Sequence, residues 1–329
     1  MTDEPIDFRT ALWEALDEEL ARDERVIFFG EDVAGPGGVF QVTRGLQERH
    51  GAKRIFDTPI SELAMSAAAF GSAVAGLRPI IEIMFGDFIA LAMDSLVNQS
   101  AKYWYLSNEQ ACVPLVVRST VGAGGRFGAI HSQIPISWLQ NVPGLKIVAP
   151  AMPCDAKALL KSAIRDDNPV VFFEHKRLYP VKGPREAVDG IIGRAGVVRS
   201  GRDITLVSAM KGVHDSLAAA DALTRLGIEA EVVDLRSLRP LDVETIASSV
   251  RKTGRLLVVE EGPRVGGWGA EVLAAITETC LGSLDDAWRL ATDELPIPYS
   301  PVLEDAFLPG VDAIVQAVAT RAGVVVPQL

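Results

Sequence analysis

Apolar positions along the chain fall into short runs that alternate with longer amphipathic stretches. Runs rich in β-branched and aromatic residues occur at Val26–Phe29, Pro79–Met84, Val113–Thr120, Leu145–Ala149 and Pro169–Phe173. They are apolar along most of their length, as in strands buried on both faces. The stretches between them, Phe8–Arg22, Ser61–Leu77, Phe88–Leu106 and Pro153–Arg165, have helical spacing. This alternation predicts a parallel sheet with helices on both sides.

The segment Tyr179–Gly193 breaks the pattern with Pro180, Gly183, Pro184 and Gly190 and reads as a linker. A second alternating block follows, with strands at Ile204–Ser208, Ala230–Asp234, Leu256–Glu260 and near Arg289–Ala291. Its helices are at Val213–Leu226 and about Trp268–Cys280. The expected fold class is therefore α/β, with two doubly wound domains in series, residues 1–185 and 186–329. No repeat or low-complexity tract interrupts it.

One helical stretch is unusual. Leu63–Leu77 reads LAMSAAAFGSAVAGL, small or apolar on every side. A helix without a polar side has no face for water and is expected to be wholly buried. It is either the central helix of one domain or a helix at a subunit interface. The interface is favoured, because a domain of this size rarely encloses a helix completely.

Composition narrows the function classes. Of 329 residues, 48% are apolar and 23% charged, the balance of a globular protein. Lys and Arg number 32 against 43 Asp and Glu, a net charge of −11, so neither nucleic acid nor an anionic membrane is an expected partner. Cys112, Cys154 and Cys280 are widely spaced, without a Cys-x-x-Cys pair, which fits a reducing compartment rather than a disulfide framework or zinc site. The start MTDEPIDFRT lacks the pattern of an export signal, and no apolar run approaches the roughly 20 residues that cross a bilayer. A cytoplasmic enzyme is the expectation.

Two glycine-rich runs follow predicted strands. Gly122–Gly128 has Phe127 where a dinucleotide fingerprint needs its third glycine. Gly262–Gly269 has Trp268 where a phosphate loop needs lysine. Each could be a turn or a backbone-lined wall; neither supports a nicotinamide enzyme or a nucleotide hydrolase.

Two residues stand out as candidates for chemistry. In Asp57-Thr-Pro-Ile-Ser-Glu62, Thr58 is the expected N-cap and Pro59 the first helical residue, which puts Glu62 in the first turn of the apolar helix. There it is either a carboxylate favoured by the helix dipole or a sheltered carboxyl that serves a ligand. His131, in Gly128-Ala-Ile-His-Ser-Gln133, has an imidazole suited to proton transfer and a glycine-rich approach. His50 and His214 read as structural, and His175 is open to several roles.

The motifs DTPISE, AGLRPIIEIMFGDF, GAIHSQ, PGLKIVAP, DAKALLKSAIRDDNPVVFFEH and DLRSLRPLD occur in one order. Together they resemble the beta subunits of pyruvate, branched-chain 2-oxo acid and acetoin dehydrogenases. The similarity runs from about Gly30-Glu-Asp-Val33 to the C-terminal region. It implies a pyrimidine-type thiamine-diphosphate-binding domain followed by a transketolase C-terminal-like domain. It also implies oxidative decarboxylation of a 2-oxo acid, pyruvate or branched-chain, with transfer of the acyl group to lipoate. In the family, the glutamate matching Glu62 hydrogen-bonds the aminopyrimidine of thiamine diphosphate and favours the tautomer that activates it. Met84 and Phe88 match positions flanking that ring, Glu31 matches an acidic position near the subunit boundary, and Glu31 and Ile60 are counted with them as cofactor-binding. His131 matches a histidine of proton and acyl transfer. Leu115, Ala163, Ile164, Asp166 and Asn168 match the positions of a structural cation, often potassium, held partly by backbone oxygens; without that carry-over, Asp166 and Asn168 read equally as a turn before Pro169.

The chain departs from the pyruvate-type pattern at Ile130, commonly Gln, and at Pro36, where many members are aromatic; both lie on the substrate side. Glu174-His-Lys-Arg-Leu-Tyr179 is closer to acetoin-type and general bacterial subunits, so acetoin dehydrogenase is the alternative, followed by a non-catalytic assembly subunit of the same fold. The magnesium motif Gly-Asp-Gly…Asn is missing: Gly86-Asp87 precedes Phe, Asn108 follows too closely, and no Asn comes after Asn168. The resemblance thus implies an alpha subunit that binds the magnesium and the diphosphate, a second beta subunit in a heterotetramer, and a dihydrolipoyl acyltransferase core.

Overall fold

The computed structural model describes residues 4–186 and 189–325, so Ala187 and Val188 of the expected linker lie outside it, as do residues 1–3 and 326–329. Two compact units divide the chain: Met1–Gly122 with Ile130–Ile192, and Ala123–Ala129 with Gly193–Leu329.

In the first unit the parallel strands are β1 (Val26–Gly30), β2 (Ile55–Asp57), β3 (Arg78–Ile83), β4 (Val116–Val121), β5 (Lys146–Val148) and β6 (Val170–His175). Their spatial order is β5-β6-β4-β3-β1-β2. Every residue of β1, β3, β4 and β6 is buried, the cause of their unbroken apolar pattern. The chain leaves β1 toward β2 on one side and leaves β3 toward β4 on the other. The order therefore reverses between β1 and β3, and a crevice opens there beyond the carboxyl ends of the strands. Helix α1 (Phe8–Arg22) packs on α3 (Pro153–Arg165), with Lys157 2.8 Å from both Glu14 and Glu18.

Helix α2 spans Glu62–Val74, and its N-cap is Ser61 rather than Thr58. Ser61 Oγ accepts from the Ala64 N–H at 3.4 Å, whereas Thr58 Oγ1 faces the Met65 sulfur at 3.8 Å. Glu62 is thereby the first helical residue. The expectation that this helix is wholly buried is corrected. Glu62, Met65, Ser66, Ala69 and Ala73 are buried, but Leu63 is 56% and Val74 38% exposed, with Ala64, Ala67, Ala68 and Gly71 open beside them. The chain alone covers one side of an apolar helix.

Phe88–Leu106, expected as one helix, is broken into a 3-10 turn at Gly86–Phe88, α-helix at Ile89–Met93, π-helix at Asp94–Ser100 and a last turn at Tyr103–Leu106. The Asp94 carboxylate accepts from Asn98 at 2.7 Å and Gln99 at 2.8 Å, and Ala101 N–H reaches back to the Leu96 carbonyl at 3.0 Å, the wider turn of a π segment. Tyr179 is buried and Lys182–Gly183 pairs with Ile6–Asp7, so the stretch read as a linker begins within the first unit.

The second unit holds β7 (Gly196–Arg199), β8 (Ile204–Ser208), β9 (Ala230–Asp234), β10 (Arg255–Pro263) and β11 (Asp286–Thr292) in the order β11-β10-β8-β9-β7. Only β7 is antiparallel to its neighbour. Its helices are α4 (Lys211–Thr224), α5 (Val243–Thr253), α6 (Trp268–Cys280), α7 (Pro301–Phe307) and α8 (Val311–Ala322). The sequence pattern missed β7, α5, α7 and α8. The signal for α5 was present: Asp242 caps it by accepting from Thr245 N–H at 3.1 Å, and Gly254 ends it at a φ of 71°.

Candidate active site

The carboxyl ends of the first unit's strands gather most of the candidate residues. Glu31 follows β1, Glu62 opens the helix after β2, Met84 and Phe88 follow β3, and Lys176 follows β6. Register aligns these ends: Gly30 lies opposite both Asp57 and Glu82, Ile83 opposite Ser119, and Val121 opposite His175.

Glu62 is 6% exposed, and its carboxylate makes no hydrogen bond among the described residues. Glu31 is 7% exposed, and its Oε1 is buried without a partner. Burial, followed by the charge of Glu62, pushes the Glu31 carboxyl above its ordinary value, and the Ser61 N–H opposes this only in part. Two sheltered carboxyl groups thus lie close enough to interact. Ile60, just before the helix, protrudes and is 84% exposed, whereas Met84 and Phe88 are half-buried.

His131 lies against aromatic rings. Its imidazole meets Phe85 edge-on at 4.6 Å and Phe88 at 5.4 Å between centroids, with the two phenyl rings 6.1 Å apart. Two charged residues that the sequence did not single out bracket the same loop. Lys176, 7% exposed, donates from Nζ to the His131 carbonyl and stands 5.3 Å from the Phe85 ring centre. Asp87 Oδ1 accepts from Gln133 N–H at 3.3 Å and from Gln133 Nε2 at 2.8 Å, and its Oδ2 is buried without a partner. Asp87 stood in the sequence only as a failed magnesium motif. Its signal was a lone carboxylate directly after a buried strand.

Beneath these residues, across β3, β4 and β6, lies a buried ion network. Arg118, 1% exposed, donates to Glu174 through Nε at 2.6 Å and Nη2 at 2.7 Å, and to Glu82 at 2.7 Å. Tyr179 OH lies 2.9 Å from Glu174 and 2.7 Å from Thr120 Oγ1. Burial raises the Glu82 carboxyl despite the opposing Arg118 charge, and burial raises the Tyr179 phenol further. His175, 1% exposed, fits here because Gly122 carries no Cβ: one placed there would come within 2.1 Å of its Nε2.

Both glycine-rich runs belong to the second unit except for Gly122, and both wrap carboxylates of this chain. Fully buried Glu304 accepts from Gly124 N–H at 2.9 Å and from the Arg126 guanidinium at 2.6 Å. Gly269 N–H donates to Glu260 at 2.8 Å, and a Cβ at Gly267 would lie 2.6 Å from that carboxylate. The N–H groups of Gly124 and Gly269 are thus engaged by carboxylates and are not open to a phosphate.

The residues matched to a potassium site converge at the end of α3. The Ile164 and Asp166 carbonyls accept from the Arg78 guanidinium at 2.8 and 2.6 Å, and the Asp166 carboxylate accepts from Lys146 and, at 2.9 Å, from Asn168 N–H. Leu115 O accepts from Val170 N–H at 2.9 Å and Ala163 O from Asp166 N–H at 3.3 Å. This is a helix C-terminus that already draws protein cations. The described residues contain no group of three or more His, Cys, Asp or Glu placed to hold a metal ion. Among them, no helix is long and apolar enough to cross a membrane.

Comparison with known proteins matches two successive domains, with residues 123–129 falling in the first of them although they belong to the second compact unit. Residues 4–182 match the transketolase pyrimidine-binding domain and residues 193–314 the transketolase C-terminal domain. The beta subunit of acetoin:2,6-dichlorophenolindophenol oxidoreductase of Cupriavidus necator is 42% identical, over 95% of this chain and 96% of its own length. The mitochondrial pyruvate dehydrogenase E1 component subunit beta of Drosophila melanogaster is 46% identical, over 94% of this chain and 87% of its own. The 2-oxoisovalerate dehydrogenase subunit beta of Bacillus subtilis is 45% identical, over 91% and 93%. Among solved structures, a split-gene transketolase, described as an inactive beta4 tetramer, superposes with a TM-score of 0.79 at 23% identity, covering 96% of this chain and 98% of that one, a likeness of fold.

Proposed function

Because this chain belongs to the family of beta subunits of thiamine-diphosphate-dependent 2-oxo acid and acetoin dehydrogenases, we propose that it supplies the aminopyrimidine half of a 2-oxo acid dehydrogenase active site, which an alpha subunit completes. The observation that carries this reading is the unpaired, sheltered carboxylate of Glu62 beside the unpartnered oxygen of Glu31, at the reversal point of a parallel sheet.

The residues present suit thiamine diphosphate. Glu62 would hold the aminopyrimidine by a hydrogen bond to a ring nitrogen, and the buried Glu31 Oε1, which has no partner among the described residues, would offer a further acceptor. Half-buried Met84 and Phe88 and the exposed Ile60 would contact the ring, and His131 would handle a proton near the reacting centre. When bound, the cofactor serves as the electron sink for loss of carbon dioxide from the 2-oxo acid. The chain's own residues orient it and exclude water.

The alpha subunit, in this reading, brings the magnesium and the diphosphate-binding half. The exposed apolar side of α2 supports a protein partner, since Leu63, Val74 and their small neighbours leave an apolar stripe open in the isolated chain. A second beta subunit and a dihydrolipoyl acyltransferase core complete the assembly. Potassium at the end of α3 rests on the resemblance alone, because the Ile164 and Asp166 carbonyls and the Asp166 carboxylate already accept from Arg78 and Lys146. A cytoplasmic location belongs to the same proposal, supported by the wide spacing of Cys112, Cys154 and Cys280.

Two relatives act, by their names, on pyruvate and 2-oxoisovalerate and one on acetoin. Co-expression with a candidate alpha subunit, followed by turnover of pyruvate, branched 2-oxo acids and acetoin with thiamine diphosphate and magnesium, tests the proposal. Oxidative decarboxylation by the pair and none by this chain alone is expected; turnover by this chain alone overturns the half-site.

A further inference from the structure

We infer that Lys176 and Asp87 are positioning residues that clamp the His131-Ser132-Gln133 tripeptide from its two ends, so that the imidazole is held in one orientation. The inference rests on the proposed function for the role of His131, but the geometry stands without it. Lys176 Nζ donates to the His131 carbonyl, and two residues on, Asp87 Oδ1 takes both the backbone N–H and the side-chain amide of Gln133 at 3.3 and 2.8 Å. Between these anchors Ser132 is fully buried.

The two clamping residues come from different strand ends, Asp87 after β3 and Lys176 after β6. Their separation therefore fixes the loop relative to the sheet and not merely to itself. Phe85 links the parts: its ring meets the His131 ring edge-on at 4.6 Å and lies 5.3 Å from the Lys176 ammonium. A shift of Lys176 is transmitted to the imidazole both through its carbonyl and through Phe85.

Burial supplies the reason to assign a task to these charges. Lys176 is 7% and Asp87 8% exposed, and removing such groups from water is costly unless their hydrogen bonds repay it. Apolar side chains would pack the same space at lower cost. Polar atoms aimed at consecutive backbone and side-chain groups of one short loop instead give the directional hold that a reacting side chain needs, because a misplacement of about 1 Å costs on the order of a hundredfold in rate.

A double-mutant cycle in the assembled enzyme tests this. Lys176→Met is expected to lower kcat about ten- to a hundredfold with little change in KM for the 2-oxo acid. It should cost nothing further in a His131→Ala background, because the clamp acts through that ring. Phe85→Leu, which leaves the buried charges in place, should behave in the same way and decides the matter if Lys176→Met does not fold. Losses that multiply fully with His131→Ala, or unchanged kcat in the single variants, overturn the clamp. A second readout is independent of turnover: in protein carrying 13C-labelled histidine, the His131 ring resonance, identified by its loss in His131→Ala, should shift in Lys176→Met while those of His50 and His214 stay. An unmoved His131 resonance overturns the inference. An enzyme inactive on all 2-oxo acids and acetoin, but showing the resonance shift, overturns the proposed function and leaves the clamp.

Discussion

Glu31 is held above its ordinary carboxyl value of 4.5 by burial and then by the charge of Glu62, a residue brought beside it only by the neighbouring strands β1 and β2. In the folded chain Glu31 therefore keeps its proton to higher pH than when unfolded. Its linked contribution to stability is present below 4.5 and is lost as pH rises through the raised folded value. Glu62→Gln removes one cause of the shift. The Glu31 titration, followed by carboxyl 13C NMR, should move to lower pH, and a transition that stays in place sinks the electrostatic coupling.

The same substitution tests the chemistry. Under the proposed function, Glu62→Gln should bind thiamine diphosphate weakly in the assembled enzyme and lose about two to four orders of magnitude in turnover. The thermal midpoint should not fall, because Glu62 makes no hydrogen bond in the described chain and its charge opposes that of Glu31. Substantial remaining turnover refutes its assignment.

The open side of α2 makes a prediction about assembly. Ala67 is exposed, so Ala67→Arg should alter the stability of the isolated chain by only about 0.5 kcal/mol. If the alpha subunit covers this side, the charge should abolish co-purification of the two subunits, read by size-exclusion chromatography. Normal co-purification excludes this helix from the contact.

Arg118 bridges two buried carboxyl groups, Glu82 and Glu174, from the middle of the sheet. Arg118→Met leaves both without a cation and should cost about 3–5 kcal/mol in urea unfolding. The triple replacement of Glu82, Arg118 and Glu174 by apolar residues should recover much of that loss. A single variant as stable as the parent contradicts the role assigned to the network.

Asp242 offers a pH-dependent test in the second unit. Burial raises its carboxyl, but hydrogen bonds from the Thr245 hydroxyl, Thr245 N–H and Ala195 N–H outweigh it and hold the group below its ordinary 3.8. The cap's ionic contribution is therefore full above 3.8 and disappears as pH falls through the lower folded value. Asp242→Ala should destabilise by about 0.5–2 kcal/mol at neutral pH and by less in strong acid. An equal loss at both pH values argues against the ionised cap.

How much was legible depended on whether a signal was local. Helices α1, α3 and α6 and strands β8 and β9 have the bounds expected from periodicity, because their burial and their turns are written in adjacent residues. The π segment at Asp94–Ser100 was not visible, since it depends on how Asp94 shares its carboxylate with Asn98 and Gln99. Lys176 and Asp87 were missed for a similar reason: neither is unusual among its sequence neighbours, and both acquire meaning from a loop that follows a different strand.

The sequence by itself determined the α/β alternation, the family through its ordered motifs, and the residue types at positions 62 and 131, because hydrophobic spacing and short motifs are properties of consecutive residues. Only the tertiary structure decided that Glu31 and Glu62 share one sheltered corner, that α2 keeps an open apolar side, and that Lys176 and Asp87 converge on one loop. Those relations arise from strand order and register, which bring together side chains that the chain itself keeps far apart.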